Sequence, residues 1–355
     1  MGKVMAPRTE PGADANATCL GTITGCGGSP RLRVTTAAAG RRKSVRVWVP
    51  YSEWVADVER LSPELAVDVY TGLGSPPATV GEVDFYVAPY SFSEPALELA
   101  REMKSLRVMQ MLTAGYEHVL PYLPDGVTLC NARGVHDAST AELALTLMLS
   151  SLRGIPDFVR AQQQGRWAHA DYPALADKTV LVLGYGSIGE AIERRLLPFE
   201  VNVIRVASRA RPDGVHGVDE LAGLLPQADV VVIITPLSPA TRHLVDGRFL
   251  AAMRDGALLV NVSRGGVVDT EALLTELQSG RLRAALDVTD PEPLPGDHPL
   301  WTAPGVLISP HVGGNSSAFL PRAARLVRAQ VAKFIAGEPV DNVVAGPAST
   351  IAVGA

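Results

Sequence analysis

Residues 179–189 read Thr-Val-Leu-Val-Leu-Gly-Tyr-Gly-Ser-Ile-Gly, and this stretch decides the fold. Its first five residues, Thr179–Leu183, are apolar and β-branched, which is typical of a buried strand, and an amphipathic helix is expected from Ser187 to about Leu197. Between strand and helix stands a GxGxxG motif, made of Gly184, Tyr185, Gly186, Ser187, Ile188 and Gly189. In this context the glycines permit a tight turn and let backbone amides approach a pyrophosphate. The stretch therefore predicts a dinucleotide-binding unit.

Short apolar runs alternate with helical stretches on both sides of this motif, which indicates a parallel α/β fold. Candidate strands before it are Val45–Val49, Ala66–Tyr70, Asp84–Ala88, Arg107–Leu112 and Thr128–Asn131. Candidate strands after it are Val201–Val206, Asp229–Ile234, Leu258–Val262, Ala284–Val288 and Val306–Ile308. The uninterrupted apolar run in the second of these is typical of a central strand covered on both faces. We expect two doubly wound parallel-sheet units, with the dinucleotide unit in the second half.

Helices are expected between these strands. A long helix should start near Ser139, because Ser139 and Glu142 have the spacing of a capping box. Further helices are expected near Val218–Leu225, Thr270–Gly280 and Leu320–Phe334.

Length, net charge, apolar runs and cysteine content limit the classes of protein to which the chain could belong. A length of 355 residues suggests about two domains. A net charge of −5 argues against nucleic acid or an anionic membrane as the main partner, and no apolar run is long enough for a membrane span. The three cysteines, Cys19, Cys26 and Cys130, form no CxxC pair, so we expect a reducing, cytoplasmic compartment and no metal site.

The first 43 residues show no hydrophobic periodicity and are rich in Gly, Ala, Thr and Arg. They lack the apolar region of a signal peptide. A transit peptide is the alternative, which Glu10 and Asp14 disfavour. We expect residues 1–43 to form a disordered extension.

The strand that follows the glycine motif bears on the choice of cofactor. NAD-binding proteins place a carboxylate at its end, about 20 residues on, to bind the ribose 2′-hydroxyl. Here the chain reads Val-Ala-Ser-Arg-Ala-Arg over residues 206–211, without a carboxylate. Ser208, Arg209 and Arg211 are suited to a 2′-phosphate, so NADP is expected rather than NAD. Use of both cofactors, with solvated loop arginines, stays open.

Three later strand ends carry polar residues, on the side of an open α/β sheet where ligands bind. Arg264 follows one of them, Asp287 and Glu292 follow the next, and His311 follows the third. These residue types suit reduction of a 2-oxo acid. Arg264 can bind the carboxylate and polarise the ketone, His311 can donate the proton, and Glu292 can orient the imidazole.

The motifs together make the chain, over roughly residues 45–344, similar to the D-isomer-specific 2-hydroxyacid dehydrogenase family. They stand in the family's order: Asn131-Ala-Arg-Gly134 before Thr140-Ala-Glu142, Pro236-Leu-Ser-Pro-Ala-Thr-Arg242, Asn261-Val-Ser-Arg-Gly265, Leu286-Asp-Val288 with Glu292-Pro293, and Ser309-Pro-His-Val-Gly-Gly314. The resemblance implies that Arg264, Glu292 and His311 are the catalytic residues. It also implies that Asp287 contacts the nicotinamide carboxamide, that Thr235 and Pro236 lie beside the nicotinamide ribose, and that the substrate carboxylate binds at Thr113, Ala114 and Gly115.

The resemblance further implies a Rossmann cofactor domain inserted into a split, flavodoxin-like substrate domain. The expected bounds are 44–140 and 316–345 for the substrate domain, 141–315 for the cofactor domain and 346–355 for a flexible tail. The helix after Ser139 and the segment around Trp167 resemble the family's dimerisation region, which implies a homodimer.

The activity implied is that of a glyoxylate or hydroxypyruvate reductase. A phosphoglycerate dehydrogenase remains an alternative, although a regulatory domain like those of many such enzymes is not expected here. A dinucleotide-gated corepressor is a second alternative, disfavoured because all three catalytic residue types are present. Formate dehydrogenases usually carry Gln at the position of Glu292, and L-lactate-type enzymes open with their glycine motif, so both are disfavoured.

Overall fold

The computed structural model describes residues 44–90 and 94–347, so the expectations for residues 1–43 and 348–355 lie outside the described residues. Helices in the described ranges lack the combined length and apolar character needed to cross a bilayer. The first part of the chain forms strands and helices with the following bounds: β1 Val45–Val49, α1 Val55–Glu59, β2 Leu65–Val69, β3 Phe85–Val87, α2 Glu94–Glu98, β4 Val108–Gln110, β5 Thr128–Cys130, α3 Asp137–Leu152 and α4 Ile155–Gln163.

The second part continues the alternation and ends by returning to the first sheet. Its elements are β6 Thr179–Leu183, α5 Ser187–Leu196, β7 Asn202–Ala207, β8 His216–Gly217, α6 Leu221–Leu224, β9 Val230–Ile233, α7 Gly247–Ala252, β10 Leu258–Asn261, α8 Thr270–Gln278, β11 Arg283–Leu286, β12 Val306–Ile308, α9 Phe319–Ala336 and β13 Val343–Ala345.

The strands form two sheets. The first has the order β13-β5-β4-β3-β1-β2 and the second the order β12-β11-β10-β9-β6-β7-β8. In the second sheet β6 pairs in parallel with both β7 and β9, so the strand order reverses at the end of β6. Ligands of open α/β sheets bind in the crevice at such a reversal. The GxGxxG turn lies at this point.

Both sheets are covered on both faces, which is why their strands read as continuous apolar runs. In the second sheet, α3 and α5 cover one face, and α7 and α8 cover the other. In the first sheet, α1 and α9 cover one face and α2 lies on the opposite face. The prediction of two doubly wound α/β units is confirmed, and the predicted strands occur within two residues of their expected bounds.

Some local expectations are wrong. The long helix begins at Asp137, so Ser139 lies inside its first turn and is not its N-cap. The Ser139 hydroxyl instead lies 2.5 Å from the Ser316 hydroxyl, a tertiary partner that no local spacing indicates. The helix expected near Val218–Leu225 is present, but only Leu221–Leu224 is α-helical, with 3₁₀ turns on both sides. Strand β13 pairs antiparallel with β5 and adds an edge that the parallel pattern did not predict.

A buried pair of amides fixes the return of the chain to the first sheet. Gln330 on α9 and Gln110 on β4 are both fully buried. Gln330 Nε2 donates to Gln110 Oε1 at 2.8 Å and to the Asp341 carbonyl at 2.7 Å, and Gln330 Oε1 accepts from the Asp341 amide at 2.8 Å. Gln110 Nε2 donates to the Asn131 carbonyl at 3.0 Å. The pair therefore holds α9 against the carboxyl ends of β4 and β5.

Gln330→Leu should lower the free energy of unfolding by about 2–4 kcal/mol, because it leaves the buried side-chain oxygen of Gln110 and the backbone groups of Asp341 without the partner they have in the wild type. Urea-induced unfolding measures this loss. The matched control is Gln227→Leu, since Gln227 makes one exposed hydrogen bond to the Gly223 carbonyl and should change stability by no more than about 0.5 kcal/mol. Equal losses in the two variants would contradict the role given to the buried pair.

Candidate active site

The carboxyl ends of strands from both sheets line one cleft with a volume of about 420 Å³. The predicted site residues that line it are Thr113, Ala114, Gly115, Gly184, Gly186, Ser187, Ile188, Thr235, Pro236, Arg264, Asp287 and His311. The other predicted site residues, Tyr185, Gly189, Ser208, Arg209, Arg211 and Glu292, lie outside this lining. The cleft therefore brings together most of the residues that the sequence singled out.

The GxGxxG turn has the geometry that its glycines predict. Gly184 has φ +106°, and a Cβ there would lie 2.6 Å from the backbone of Ile234. A Cβ on Gly189 would lie 2.9 Å from the Gly184 carbonyl oxygen, so α5 can approach the sheet only without that side chain. Around Gly186, the N-cap of α5, a Cβ would meet nothing within 4 Å. The amino end of α5 is therefore open to an anion in the cleft.

Thr235, at the end of β9, has the buried polar atom that best indicates a missing ligand. Its side chain is 8% exposed, and its Oγ1 has no hydrogen-bond partner among the described residues. The adjoining loop is otherwise satisfied, because Thr241 Oγ1 donates to the Pro236 carbonyl at 2.7 Å. A buried hydroxyl without a partner is costly. Thr235 together with the open amino end of α5 fits a dinucleotide that crosses the cleft.

The end of β7 presents the residues expected to bind a 2′-phosphate. Ser208, Arg209 and Arg211 are all exposed. Arg211 Nη2 donates to the Tyr185 carbonyl at 2.8 Å, and its guanidinium lies 5.5 Å from the Tyr185 ring centroid. In the described part of the chain, the side chains of Ser208 and Arg209 form no hydrogen bond or ion pair. Arg209 is thus a free cation, and Arg211 is partly used to hold the glycine turn.

A network that the sequence did not indicate braces Tyr185. Its hydroxyl donates to Glu193, a residue of α5 that is only 5% exposed. Arg205 on β7 donates to Glu193 Oε1 from two nitrogens, at 2.8 and 2.5 Å. Burial, with help from Glu193, raises the pKa of Tyr185 to about 12, so the phenol stays protonated. The network joins β7 to the turn that would hold the cofactor.

Asp287, at the end of β11, holds the loop that carries His311. Its side chain is 2% exposed and accepts hydrogen bonds from Ser309 Oγ at 2.6 Å, from the Val312 amide at 2.9 Å and from the Gly313 amide at 2.8 Å. The His311 amide donates to the Asp287 carbonyl at 2.7 Å. These bonds hold His311 in the left-handed region, with φ +52°. The Asp287 carboxylate therefore positions the loop of His311, a role of Asp287 that the sequence did not indicate.

His311 and Glu292 form a pair at the edge of the cleft. His311 Nδ1 lies 2.5 Å from Glu292 Oε1, and both side chains are partly exposed. Burial raises the pKa of the Glu292 carboxyl, but the hydrogen bond and the charge of His311 outweigh it, so the net shift is downward. Glu292 is thus ionised near neutral pH, and it holds the imidazole of His311 through Nδ1.

Arg264 lies against Gly115 and lines the same cleft as the glycine turn. A Cβ on Gly115 would lie 1.8 Å from Arg264 Nη2, so a larger residue there would displace the guanidinium from this position. Arg264 Nη1 donates to the Ser263 carbonyl at 2.7 Å, and the Arg264 carbonyl accepts from Asn261 Nδ2 at 3.0 Å. These contacts fix the guanidinium where it can form a bidentate bond with a carboxylate.

The segment of Thr113, Ala114 and Gly115 presents free amides beside Arg264. Its three carbonyl oxygens are already used: they accept from the Ala132 amide at 2.8 Å, from Asn131 Nδ2 at 2.7 Å and from Thr113 Oγ1 at 2.7 Å. The amides of Ala114 and Gly115 donate to no group in the described ranges. An anion next to Arg264 would therefore find two backbone donors. Asn131 holds the segment in place through its bond to the Ala114 carbonyl, a role that the sequence did not indicate.

The glycine turn, the guanidinium and the imidazole–carboxylate pair thus surround one cleft. The chain matches the family model described as "D-isomer specific 2-hydroxyacid dehydrogenase, NAD binding domain" over residues 145–313. It is 36% identical over 223 residues to a glyoxylate reductase/hydroxypyruvate reductase of Mus musculus, covering 59% of this chain and 68% of the relative. It is 35% identical over 230 residues to a D-3-phosphoglycerate dehydrogenase of Methanocaldococcus jannaschii, covering 62% of this chain but only 44% of that relative.

The fold is similar to a solved structure of the same kind. A D-isomer specific 2-hydroxyacid dehydrogenase from Xanthobacter autotrophicus Py2, in complex with NADPH and MES, superposes with a TM-score of 0.71 at 30% identity. The match covers 86% of this chain and 99% of that chain. This chain therefore belongs to the D-isomer specific 2-hydroxyacid dehydrogenase family, whose members are dehydrogenases that use a nicotinamide dinucleotide.

Proposed function

We propose that the chain uses NADPH to reduce the C2 carbonyl of a small 2-oxo acid to the D-2-hydroxy acid. The observation that carries the proposal is the arrangement around the cleft. Arg264 and the free amides of Ala114 and Gly115 suit a carboxylate, and the His311–Glu292 pair suits a proton transfer. The glycine turn lines the same cleft, so a nicotinamide dinucleotide held there would supply the hydride.

Different residues bind the substrate, polarise its ketone and donate the proton. The amides of Ala114 and Gly115 bind the substrate carboxylate, and Arg264 forms a charge-assisted hydrogen bond to it and polarises the ketone oxygen. His311 donates a proton from Nε2 to that oxygen, since Nδ1 is bonded to Glu292. Glu292 orients the imidazole through the hydrogen bond at Nδ1. As the proton leaves, the carboxylate keeps the neutral ring in place.

The substrate proposed is of the glyoxylate or hydroxypyruvate type, as the named activity of the mouse relative suggests. Glu117 also lines the cleft, and its Oε2 lies 3.2 Å from where a Cβ of Gly115 would be, close to Arg264. A fixed carboxylate in the pocket disfavours a substrate that carries a second, phosphate anion. Glu117 thus supports a small substrate over 3-phosphohydroxypyruvate.

We also propose that residues 44–140 and 316–345 form the substrate domain and that residues 141–315 form the cofactor domain. The first sheet combines β1–β5 with β13, which supports the split of the first domain.

We further propose that the protein is a homodimer. Around α4, the surface exposes Ile155, Phe158, Val159 and, at 96%, Trp167. An exposed apolar surface of this kind is suited to a second copy of the chain.

His311→Ala should lower the turnover number by roughly 10²–10⁴-fold, which is the usual size of a general-acid contribution. The dissociation constant for NADPH should change little, because His311 acts on the substrate oxygen. Steady-state reduction of glyoxylate, with NADPH binding measured by fluorescence, checks both. His169→Ala removes an exposed histidine outside the cleft and serves as the control. Undiminished turnover in His311→Ala would show that the proton comes from elsewhere.

Arg209→Ala should raise the Michaelis constant for NADPH at least about tenfold and leave that for NADH nearly unchanged. A charge-assisted hydrogen bond contributes about 1.5–3 kcal/mol, equivalent to roughly 10–150-fold, and Arg209 has no competing partner in the described chain. Ser208→Asp should reverse the preference by repelling the 2′-phosphate. Arg248→Ala, which removes an exposed arginine of α7 away from the cleft, is the control. A wild-type enzyme that uses NADH with equal or better efficiency contradicts the NADPH assignment.

A further inference from the structure

Glu193 on α5 is a buried carboxylate that the proposed mechanism does not use. It is 5% exposed, and a buried charge is costly unless a partner compensates it. Its partners are the Tyr185 hydroxyl and two guanidinium nitrogens of Arg205, a residue of β7. The pair therefore fixes the helix after the glycine turn against the strand that leads to Ser208 and Arg209.

Arg205 also bonds to the loop that follows β7, residues 208–215. Its third nitrogen, Nη1, donates to the Asp213 carbonyl at 3.3 Å. Within the loop, the Arg211 amide donates to the Val215 carbonyl at 2.8 Å, and Val215 is only 2% exposed. The 208–215 loop is thus held by Arg205 near its middle and by a buried residue at its end.

Tyr185, in the glycine turn, contacts the same loop. Its ring centroid lies 5.6 Å from the guanidinium of Arg205 and 5.5 Å from that of Arg211. Arg211 Nη2 also donates to the Tyr185 carbonyl at 2.8 Å. Although Arg211 is exposed, its guanidinium therefore has a defined position on the glycine turn.

We propose that Tyr185, Glu193 and Arg205 are positioning residues that fix the 208–215 loop before the cofactor binds, and that they thereby make the enzyme select NADPH over NADH. The inference rests on the NADPH assignment in the proposed function. A loop and a long side chain that become ordered only on binding lose conformational freedom, which weakens binding. Here the loop of Arg209 and Arg211 is ordered in advance. NADH has no 2′-phosphate, so it gains little from this order.

The double variant Glu193→Gln/Arg205→Met tests the inference, because it removes both charges together and leaves no unpaired charge buried. Calorimetric titration measures the dissociation constants of NADPH and NADH for the wild type and the variant. NADPH should bind about three- to tenfold more weakly, since the loop must now become ordered on binding. The dissociation constant of NADH should change little, so the preference for NADPH falls.

Glu276→Gln/Arg281→Met is the matched control. In this second shielded pair, Arg281 Nε donates to Glu276 Oε2 at 2.6 Å, and Arg281 Nη2 donates to the Leu250 carbonyl at 2.6 Å. The pair joins α8 to α7, on the opposite face of the sheet from α5. Its loss should lower stability and leave the ratio of the two dissociation constants unchanged.

Arg205→Lys keeps the interpretation open to refutation if the double variant does not fold. It retains a positive charge beside Glu193 but cannot bond to both Glu193 and the Asp213 carbonyl with the fork of a guanidinium. It should therefore lower the preference for NADPH in part.

An unchanged ratio, an equal loss of affinity for both cofactors or an equal fall in the control pair overturns the inference. Reduction of 2-oxo acids with NADPH by the wild type still supports the proposed function in each of these cases. A wild type that binds NADH as tightly as NADPH contradicts the cofactor assignment, and the inference fails with it.

Discussion

The buried carboxylate of Asp287 is the constraint on which the rest of the site depends. No cation pairs with it in the described residues; its oxygens are satisfied by one hydroxyl and two backbone amides of the loop 309–313. Hydrogen bonds to an ionised acceptor are stronger than neutral ones. They hold the backbone of His311 in a conformation that an ordinary residue avoids, and that conformation directs the imidazole toward Glu292.

Close backbone packing also sets the position of the loop that carries Arg264. A Cβ on Gly265 would lie 1.9 Å from the Thr289 carbonyl oxygen, so the loop of Arg264 packs directly on the segment that leads to Glu292. Gly115 in turn accommodates the guanidinium of Arg264. Small residues thus place a cation, two free amides and an imidazole within one cleft. Geometry of this kind lowers an activation barrier because the groups need no rearrangement during the reaction.

The sequence predicted the elements and the strand ends because both follow from local patterns. Apolar runs identified the strands, and a glycine motif after one of them identified the cofactor turn. Arg264, Glu292 and His311 stood out because each follows a strand end. What the sequence could not predict depends on contacts between distant residues. The hydroxyl of Ser139 bonds to Ser316, although its spacing indicated a cap.

The same limit explains the other residues whose part in the site was missed. Asn131 and His136 contact backbone groups 17 and 24 residues away in the chain, and Glu193 on α5 joins the glycine turn to β7. Nothing in the identities of their sequence neighbours indicates those contacts. Only burial and hydrogen bonding in three dimensions separate such residues from other polar positions. The antiparallel strand β13 is three residues long, too short for a periodicity to show its direction.

The central claim is that His311, oriented by Glu292, delivers the proton. The pH dependence of 2-oxo acid reduction by Glu292→Gln tests it most directly. Burial raises the pKa of Glu292, but the hydrogen bond and the charge of His311 outweigh it, so the two groups attract each other when Glu292 is ionised. Reduction needs a proton from the acid, so its rate falls as pH rises. Removing the charge of Glu292 should therefore move the midpoint of this fall to lower pH.

Asp290→Asn provides the comparison, because it removes a neighbouring carboxylate that lies 3.7 Å from Arg242. That variant should keep the wild-type midpoint. A lower midpoint in Glu292→Gln alone is the result that the account predicts. An unmoved midpoint in Glu292→Gln, or an equal shift in both variants, would contradict it.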